Sequence, residues 1–140
     1  IVEQDGKDIA GTPYGIGRYG KIEEGMSFPE FVKHVGAALG CKSLRYWDSG
    51  RRPGLVAVGS GACGSQLSTV LKLGCDTFVT ADIKHSIWLD AQDMGVNLID
   101  AGHFPTENII CRMIIENLAP QLTDVEFLMS RRHEEPFEVL

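Results

Sequence analysis

Between residues 55 and 119, short apolar segments alternate with amphipathic ones, and this alternation constrains the fold more than any other feature. Three short segments with apolar residues at their centres are predicted to be strands: residues 55–58, which are continuously apolar, and residues 76–80 and 96–99. Three segments carry apolar side chains at helical spacing: residues 66–73, 85–94 and 105–119. Strands separated by such helices pair through right-handed crossovers. The sequence therefore predicts an α/β fold of βαβ units, with a mainly parallel or mixed central sheet flanked by helices.

Further elements are predicted around these units. Ser27 and Glu30 form a capping-box pattern that begins a helix, and Gly40 is placed to end it. Less regular patterns predict three more strands: one between Tyr14 and Glu24, an edge strand at 44–47 and a last strand at 125–129. In the helix at 105–119, three apolar residues recur in i, i+4 register: Ile110, Ile114 and Leu118.

The domain prediction separates a short leading segment from one α/β domain. Residues 1–14 are polar and contain Gly6, Gly11 and Pro13, so we predict a lead-in or a linker remnant there. Residues 15–140 are predicted to form the α/β domain. Because the first residue is Ile1 rather than Met, we expect the chain to be part of a longer one.

Composition argues against two classes of partner. The net charge is −6, with 13 basic against 19 acidic residues, so no binding to a nucleic-acid backbone is expected. The apolar runs are far shorter than the ~20 residues that span a membrane, so no membrane association is expected either. Four cysteines lack CxxC spacing and are expected to be reduced thiols in a cytoplasmic protein: Cys41, Cys63, Cys75 and Cys111.

Unusual polar residues follow each of the three central strands. In open α/β sheets, ligands bind outside the carboxyl ends of the strands. The first loop, residues 59–65, is rich in glycine and serine. The other two loops carry titratable side chains: Asp82, Lys84 and His85 in one, and Asp100, His103 and Glu107 in the other. Three such loops at one edge of the sheet indicate a site there.

His103 and Glu107 are the strongest candidates for metal ligands. They are four residues apart, next to a helix start that Pro105 favours, and this spacing can place both side chains on one side. Imidazole and carboxylate are good ligands for Zn, Fe or Mn. In the alternative interpretation, His103 caps the helix and Glu107 only interacts with the positive helix N-terminus.

The other two loops suggest contacts to a substrate. Gly59, Ser60 and Gly61 resemble a phosphate cradle before a helix N-terminus, although a tight strand-to-helix turn explains them equally well. Asp82 is a candidate catalytic residue, either as a general base or as an orienter of a ligand, and alternatively a helix N-cap. Lys84 is a weak candidate for contact with an anionic substrate, and a solvated helix start is its alternative.

Three blocks of sequence, in this order, resemble a known family: residues 56–65, 74–85 and 97–107. Their most specific parts are Asp82-Ile83-Lys84 and the pattern Ala-Gly-His-x-x-x-Glu that ends at Glu107. Over roughly residues 14–140, the chain resembles the C-terminal half of the NGG-one-interacting-factor-three-like family, also known as the GTP cyclohydrolase I type 2 homologues. The closing Pro136-Phe137 is similar to the usual end of that family.

The resemblance implies a site and an assembly. In the family, this half supplies a His and a Glu, here His103 and Glu107, to a centre of two divalent metal ions (Zn, Fe or Mn). The remaining ligands, a His-His pair and an Asp, belong to an N-terminal half that we expect to be absent from this fragment. The resemblance also implies a ring-shaped homo-oligomer, so the implied partners are the N-terminal half or other subunits, and possible protein partners. A half-protein is expected to expose an apolar face.

Two functional hypotheses follow from the resemblance. The first is a metal-dependent hydrolase that acts on a nucleotide-like small molecule, as the cyclohydrolase name of the family implies. The alternative is a non-catalytic metal-binding module with a regulatory or protein-interaction role.

Overall fold

The computed structural model describes residues 1–22 and 25–139 of the chain. The strands are β1 (Glu3–Lys7), β2 (Pro13–Ile16), β3 (Arg18–Lys21), β4 (Arg45–Trp47), β5 (Leu55–Val58), β6 (Thr77–Thr80) and β7 (Asn97–Asp100). The helices are α1 (Phe28–Leu39), α2 (Leu67–Lys72), α3 (His85–Met94) and α4 (His103–Leu118), with a short 3-10 turn, Gly64–Gln66, before α2. Glu23 and Glu24, where the first predicted strand was to end, lie outside the described residues, as does Leu140.

Five strands form one mixed sheet in the order β3-β5-β6-β7-β4. The central pairs β5·β6 and β6·β7 are parallel, and the crossovers between them contain α2 and α3. The edge strands β3 and β4 run antiparallel to their neighbours β5 and β7. This arrangement confirms the predicted α/β fold and its mixed variant. The carboxyl ends of β5, β6 and β7 consequently meet at one edge of the sheet.

The two faces of the sheet carry separate hydrophobic clusters. Successive side chains of a strand point to opposite faces. Phe78 and Leu98 therefore pack on the side of α2 and α3, whereas Val79 and Ile99 pack on the side of α1. All four residues of β6 and of β7 are buried, as in the central strands of a sheet covered on both faces, and the buried set includes polar residues at both ends of each strand: Thr77, Thr80, Asn97 and Asp100.

Helix α1 begins and ends as its sequence predicts. The Glu30 carboxylate accepts a hydrogen bond from the backbone N–H of Ser27 at 2.8 Å, which is one half of the capping box. Gly40 follows the last residue in a left-handed conformation. The apolar side of the helix, including Phe31 and Val35, is buried against the sheet.

Residues 1–16 are not simply extended. Strands β1 and β2 pair antiparallel as a two-stranded sheet of their own, with a register shift between Gln4 and Gly6. Val2 is buried in the cluster on the α2 and α3 side. The leading segment therefore packs on the domain through Val2, and its assignment as a lead-in or linker remnant stays a prediction.

The predicted strand at 125–129 is wrong. After α4 the chain makes a turn in which the N–H of Val125 donates to the Leu122 carbonyl, and no strand follows in residues 125–129. The place beside β7, at the end of the three parallel strands, is taken by β4, and residues 125–129 pair with neither of the edge strands β3 and β4. Leu128 is accordingly one of the most exposed apolar residues of the described chain.

Helix α4 buries none of its described residues fully. Its apolar residues Ile110, Ile114 and Leu118, which share one register, are about as exposed as its polar ones. The helix thus presents an exposed apolar surface, and the prediction that a further part of the protein covers it stays a prediction. No helix in residues 1–22 and 25–139 combines the length and the apolar character needed to cross a membrane.

Candidate metal centre

The three loops at the carboxyl edge of the sheet are tied to one another by backbone hydrogen bonds. The N–H of Ala81, directly after β6, donates to the Gly61 carbonyl at 3.0 Å. The N–H of Gly61 in turn donates to the Thr106 hydroxyl of α4 at 3.0 Å. The loop after β5 therefore lies between the other two, and one predicted residue from each of the first two loops, Gly61 and Asp82, comes next to His103 and Glu107 of the third.

His103 and Glu107 lie on one side of the first turns of α4. Helix α4 begins at His103, two residues earlier than predicted, and Gly102 rather than His103 occupies the N-cap position. The Nε2 atom of His103 is 3.2 Å from Oε1 of Glu107. Two donor atoms bound at ~2.0–2.1 Å to one tetrahedral ion are about 3.3 Å apart, a separation close to that of this pair.

Asp82 orients the His103 ring. Its Oδ2 is 2.6 Å from Nδ1 of His103, so the other ring nitrogen, Nε2, is the one turned towards Glu107. A carboxylate that holds the Nδ1 proton leaves the Nε2 lone pair free for a metal ion. The alternative role of Asp82 as a helix N-cap does not apply, since Lys84 occupies that position in α3.

The contacts of His103 with Asp82 and Glu107 also determine the direction in which its pKa is shifted. The hydrogen bond to Asp82 is the main cause that raises the pKa of His103 above its usual range, and the negative charge of Glu107 adds to it. Desolvation acts in the opposite direction. Both side chains are about half exposed, at 45% for His103 and 53% for Glu107. The site therefore opens to solvent, where an additional ligand or a substrate has access.

Asp82 adopts a backbone conformation that is rare for a residue other than glycine. Its φ is 49°, in the left-handed region. Asp is among the few residue types that tolerate this region, yet it still costs free energy. Strained backbone of this kind tends to occur at functional sites, and here it places the carboxylate against His103.

Gly61 approaches the pair more closely than a side chain permits. Its φ is 60°, and a Cβ built on it lies 3.2 Å from His103 Nε2 and closer still to the Glu107 carboxylate. The position therefore requires glycine twice, for its backbone conformation and for the space it leaves to the pair.

Three N–H groups of the glycine-rich loop have hydrogen-bond partners within the described chain, and its role as a phosphate cradle stays a prediction. The N–H groups of Gly59, Gly61 and Cys63 donate to Val79 O, Thr106 Oγ1 and Thr80 Oγ1, respectively. The contribution of this loop is to connect the other two. Ser60 shares an open depression of about 440 Å³ with Glu107, and Lys84 is exposed two residues after Asp82.

Sequence reasoning missed the role of Thr106. Its hydroxyl accepts the N–H of Gly61 and donates to the carbonyl of Gly102 at 2.9 Å, so it joins the first loop to the start of α4. The only signal in the sequence is its position between the two candidate ligands. In residues 1–22 and 25–139, no group of three or more His, Cys, Asp or Glu side chains is arranged to hold a metal ion, so His103 and Glu107 stand as a two-ligand arrangement.

Comparison with known proteins gives the family. The family model for Duf34/NIF3 (NGG1p interacting factor 3) matches residues 3–136. The chain belongs to this family. A Clostridium perfringens relative named GTP cyclohydrolase 1 type 2 homolog is 31% identical over 128 residues, which are 90% of this chain and 49% of that protein. A relative of the same name from Halalkalibacterium halodurans is 32% identical over 132 residues, 91% of this chain and 35% of that protein.

Solved structures of other proteins share the fold. A hypothetical protein of Staphylococcus aureus superposes with a TM-score of 0.79 at 26% identity, covering 91% of this chain and 44% of its own. A Bacillus cereus protein related to NIF3 superposes with a TM-score of 0.77 at 26% identity, covering 93% and 37%. The chain thus spans about half or less of the length of these proteins.

Proposed function

We propose that His103 and Glu107 are the ligands which this chain contributes to a divalent metal centre. The observation that carries the proposal is their 3.2 Å contact, made through the one ring nitrogen that Asp82 leaves free. Imidazole nitrogen and carboxylate oxygen suit Zn, Fe and Mn alike, so the donor set does not select among them. We propose two ions per site in the complete protein, with the further ligands supplied by residues of another half or subunit.

The proposed chemistry is metal-dependent hydrolysis. Divalent ions, when bound, lower the pKa of a coordinated water and stabilise negative charge in the transition state. The residues of this chain perform three tasks. His103 and Glu107 bind, Asp82 keeps the proton on Nδ1 of the ring, and Gly61 leaves room for the pair.

The proposed substrate class is a nucleotide-like small molecule. The relatives named GTP cyclohydrolase 1 type 2 homolog support this class. The half-exposed ligand pair at an open depression is consistent with access for such a molecule. Lys84, exposed close to Asp82, and Ser60, which lines the depression, are the proposed contacts to its anionic part.

The test compares metal content and hydrolysis in matched variants of the protein. We expect Glu107→Gln to lower the content of Zn, Fe or Mn and to abolish hydrolysis of a panel of nucleoside triphosphates. Glu116→Gln is the control, since Glu116 lies on the same helix and pairs only with Arg112 in the described chain. Activity that survives Glu107→Gln contradicts the assignment of the site.

A second function is favoured by the surface of α4. Ile109, Ile110 and Met113 are about half exposed and line the same depression as Glu107. An apolar surface beside a metal centre fits a regulatory or protein-interaction module, in which metal binding supports partner recognition. Metal-loaded protein that hydrolyses no nucleotide of the panel favours this function over the hydrolase.

A further inference from the structure

Asp100, the last residue of β7, is a buried carboxylate at the same edge of the sheet. Only 5% of its surface is exposed. Its Oδ2 forms an ion pair with Nη2 of Arg45, which lies directly opposite it in the antiparallel pairing of β4 with β7. A buried carboxylate is stable only when a charge and hydrogen-bond donors compensate for its desolvation, and Arg45 supplies the charge.

The donors come from the two loops that carry the candidate metal site. Oδ2 of Asp100 accepts the N–H of Ile83 at 3.3 Å, and Oδ1 accepts the N–H of Gly102 at 3.1 Å. Ile83 directly follows Asp82, and Gly102 directly precedes His103. The Asp100 carboxylate therefore connects the backbone next to Asp82 to the backbone next to His103.

We infer that Arg45 and Asp100 are positioning residues of the metal centre, which hold Asp82 at hydrogen-bond distance from His103. The inference rests on the proposed function of His103 as a ligand. Asp82 and His103 lie on separate loops and are joined by a single hydrogen bond. That bond forms only when the two loops are held at a fixed separation, and the Asp100 carboxylate bonds to both loops. The left-handed backbone of Asp82 makes this restraint more necessary, because an unrestrained loop relaxes to a less costly conformation.

The chain contains a carboxylate that serves as a matched control. Asp76, at the opposite end of the sheet, accepts the N–H groups of Gly54 and Leu55 at 3.0 and 2.8 Å. Asp76 also ties a loop to a strand by accepting backbone N–H groups, and no contact within residues 1–22 and 25–139 links it to the site. We therefore expect both Asp76→Asn and Asp100→Asn to lower the stability of the fold, and only Asp100→Asn to lower the affinity for the metal ion.

The experiment has two readouts for each variant. The first is the affinity for Zn²⁺, measured by calorimetry, and the second is the tautomer of His103 in the metal-free protein. The tautomer is read from the ring ¹⁵N chemical shifts at a pH at which the ring is neutral. We expect Asp100→Asn to lower Zn²⁺ affinity about tenfold or more, the usual effect of losing a partner behind a ligand. The ring of this variant should shift from the Nδ1–H form to a mixture of tautomers. Arg45→Lys should keep most of the affinity, whereas Arg45→Met should behave like Asp100→Asn.

The outcomes separate this inference from the proposed function. Equal loss of affinity in Asp76→Asn and Asp100→Asn, or an unchanged tautomer in Asp100→Asn, overturns the positioning role. If the wild type binds no Zn²⁺, the proposed function fails, and the tautomer measurement alone then decides whether the pair of Arg45 and Asp100 orients His103.

Discussion

Substitution of Gly61 by alanine tests the close approach between the first loop and the ligand pair. Gly61 has a φ of 60°, and an added methyl group lies 3.2 Å from His103 Nε2 and in direct conflict with the Glu107 carboxylate. Two effects follow. A left-handed conformation costs an L-residue about 1–2 kcal/mol in the free energy of unfolding. The carboxylate must also turn away from His103, which separates the two donor atoms.

Gly95→Ala is the control that carries the backbone cost alone, so the difference between the two variants measures the displacement of the carboxylate. Gly95 ends α3 with a φ of 64°, so its backbone cost is nearly the same, and a Cβ there meets no atom within 4 Å. The temperature of thermal unfolding should therefore fall by about 3–7 °C in both variants. Zn²⁺ affinity should fall about tenfold or more in Gly61→Ala only, by analogy with other losses at the surroundings of a metal ligand.

The assay is thermal unfolding by circular dichroism together with Zn²⁺ titration by calorimetry, on both variants and the wild type. Equal Zn²⁺ affinity of Gly61→Ala and Gly95→Ala refutes the reasoning, because the methyl group then does not displace a ligand. A much larger loss of stability in Gly61→Ala than in Gly95→Ala shows that the conflict is relieved by backbone movement instead.

Three further predictions concern the site, the core and the first helix. Asp82→Ala should lower the Zn²⁺ affinity measured by calorimetry about tenfold. Asp82→Asn should lower it less, because Asn keeps an acceptor for the proton on His103 Nδ1 and tolerates a left-handed φ. Phe78→Ala, in the fully buried centre of β6, should cost about 3–5 kcal/mol in urea unfolding, with the sheet retained. The side-chain hydrogen bond to Ser27, followed by the backbone one, lowers the pKa of Glu30. The ionised Glu30 side chain therefore stabilises the folded protein above the pKa that Glu30 has in the unfolded chain, and this stabilisation is lost as the pH falls through its lower pKa in the folded protein. Between about pH 6 and pH 3, the urea concentration at the unfolding midpoint should fall more steeply for the wild type than for Glu30→Gln.

The sequence predicts the central units well because local and tertiary preferences agree there. The strand Leu55–Val58 and the helices Phe28–Leu39 and His85–Met94 have the predicted bounds. Each is delimited by residues with strong local preferences, such as the capping box at Ser27. The strand at 125–129 fails for the opposite reason: its composition favours a strand, but a strand forms only where a segment pairs with another, and no strand of the five-stranded sheet pairs with these residues.

The site is predictable only in part. Spacing and the position after β7 indicate His103 and Glu107, and the family resemblance specifies their role. Arg45 carries no such signal, because its partner Asp100 is 55 residues away and the two meet only through the antiparallel pairing of an edge strand. The same holds for the contact between Asp82 and His103, which depends on how the sheet brings two loops together.

The most direct test of the central claim is paramagnetic line broadening by Mn²⁺ in ¹H–¹⁵N spectra of this chain. It detects weak binding, which is expected where a site has two protein ligands and water in its other positions. Substoichiometric Mn²⁺ should broaden the amide signals of Gly61, Asp82, His103 and Glu107 first, and Glu107→Gln should remove this effect while Glu116→Gln retains it. Broadening that begins elsewhere in the chain, or that is unchanged in Glu107→Gln, would contradict the assignment of His103 and Glu107 as metal ligands.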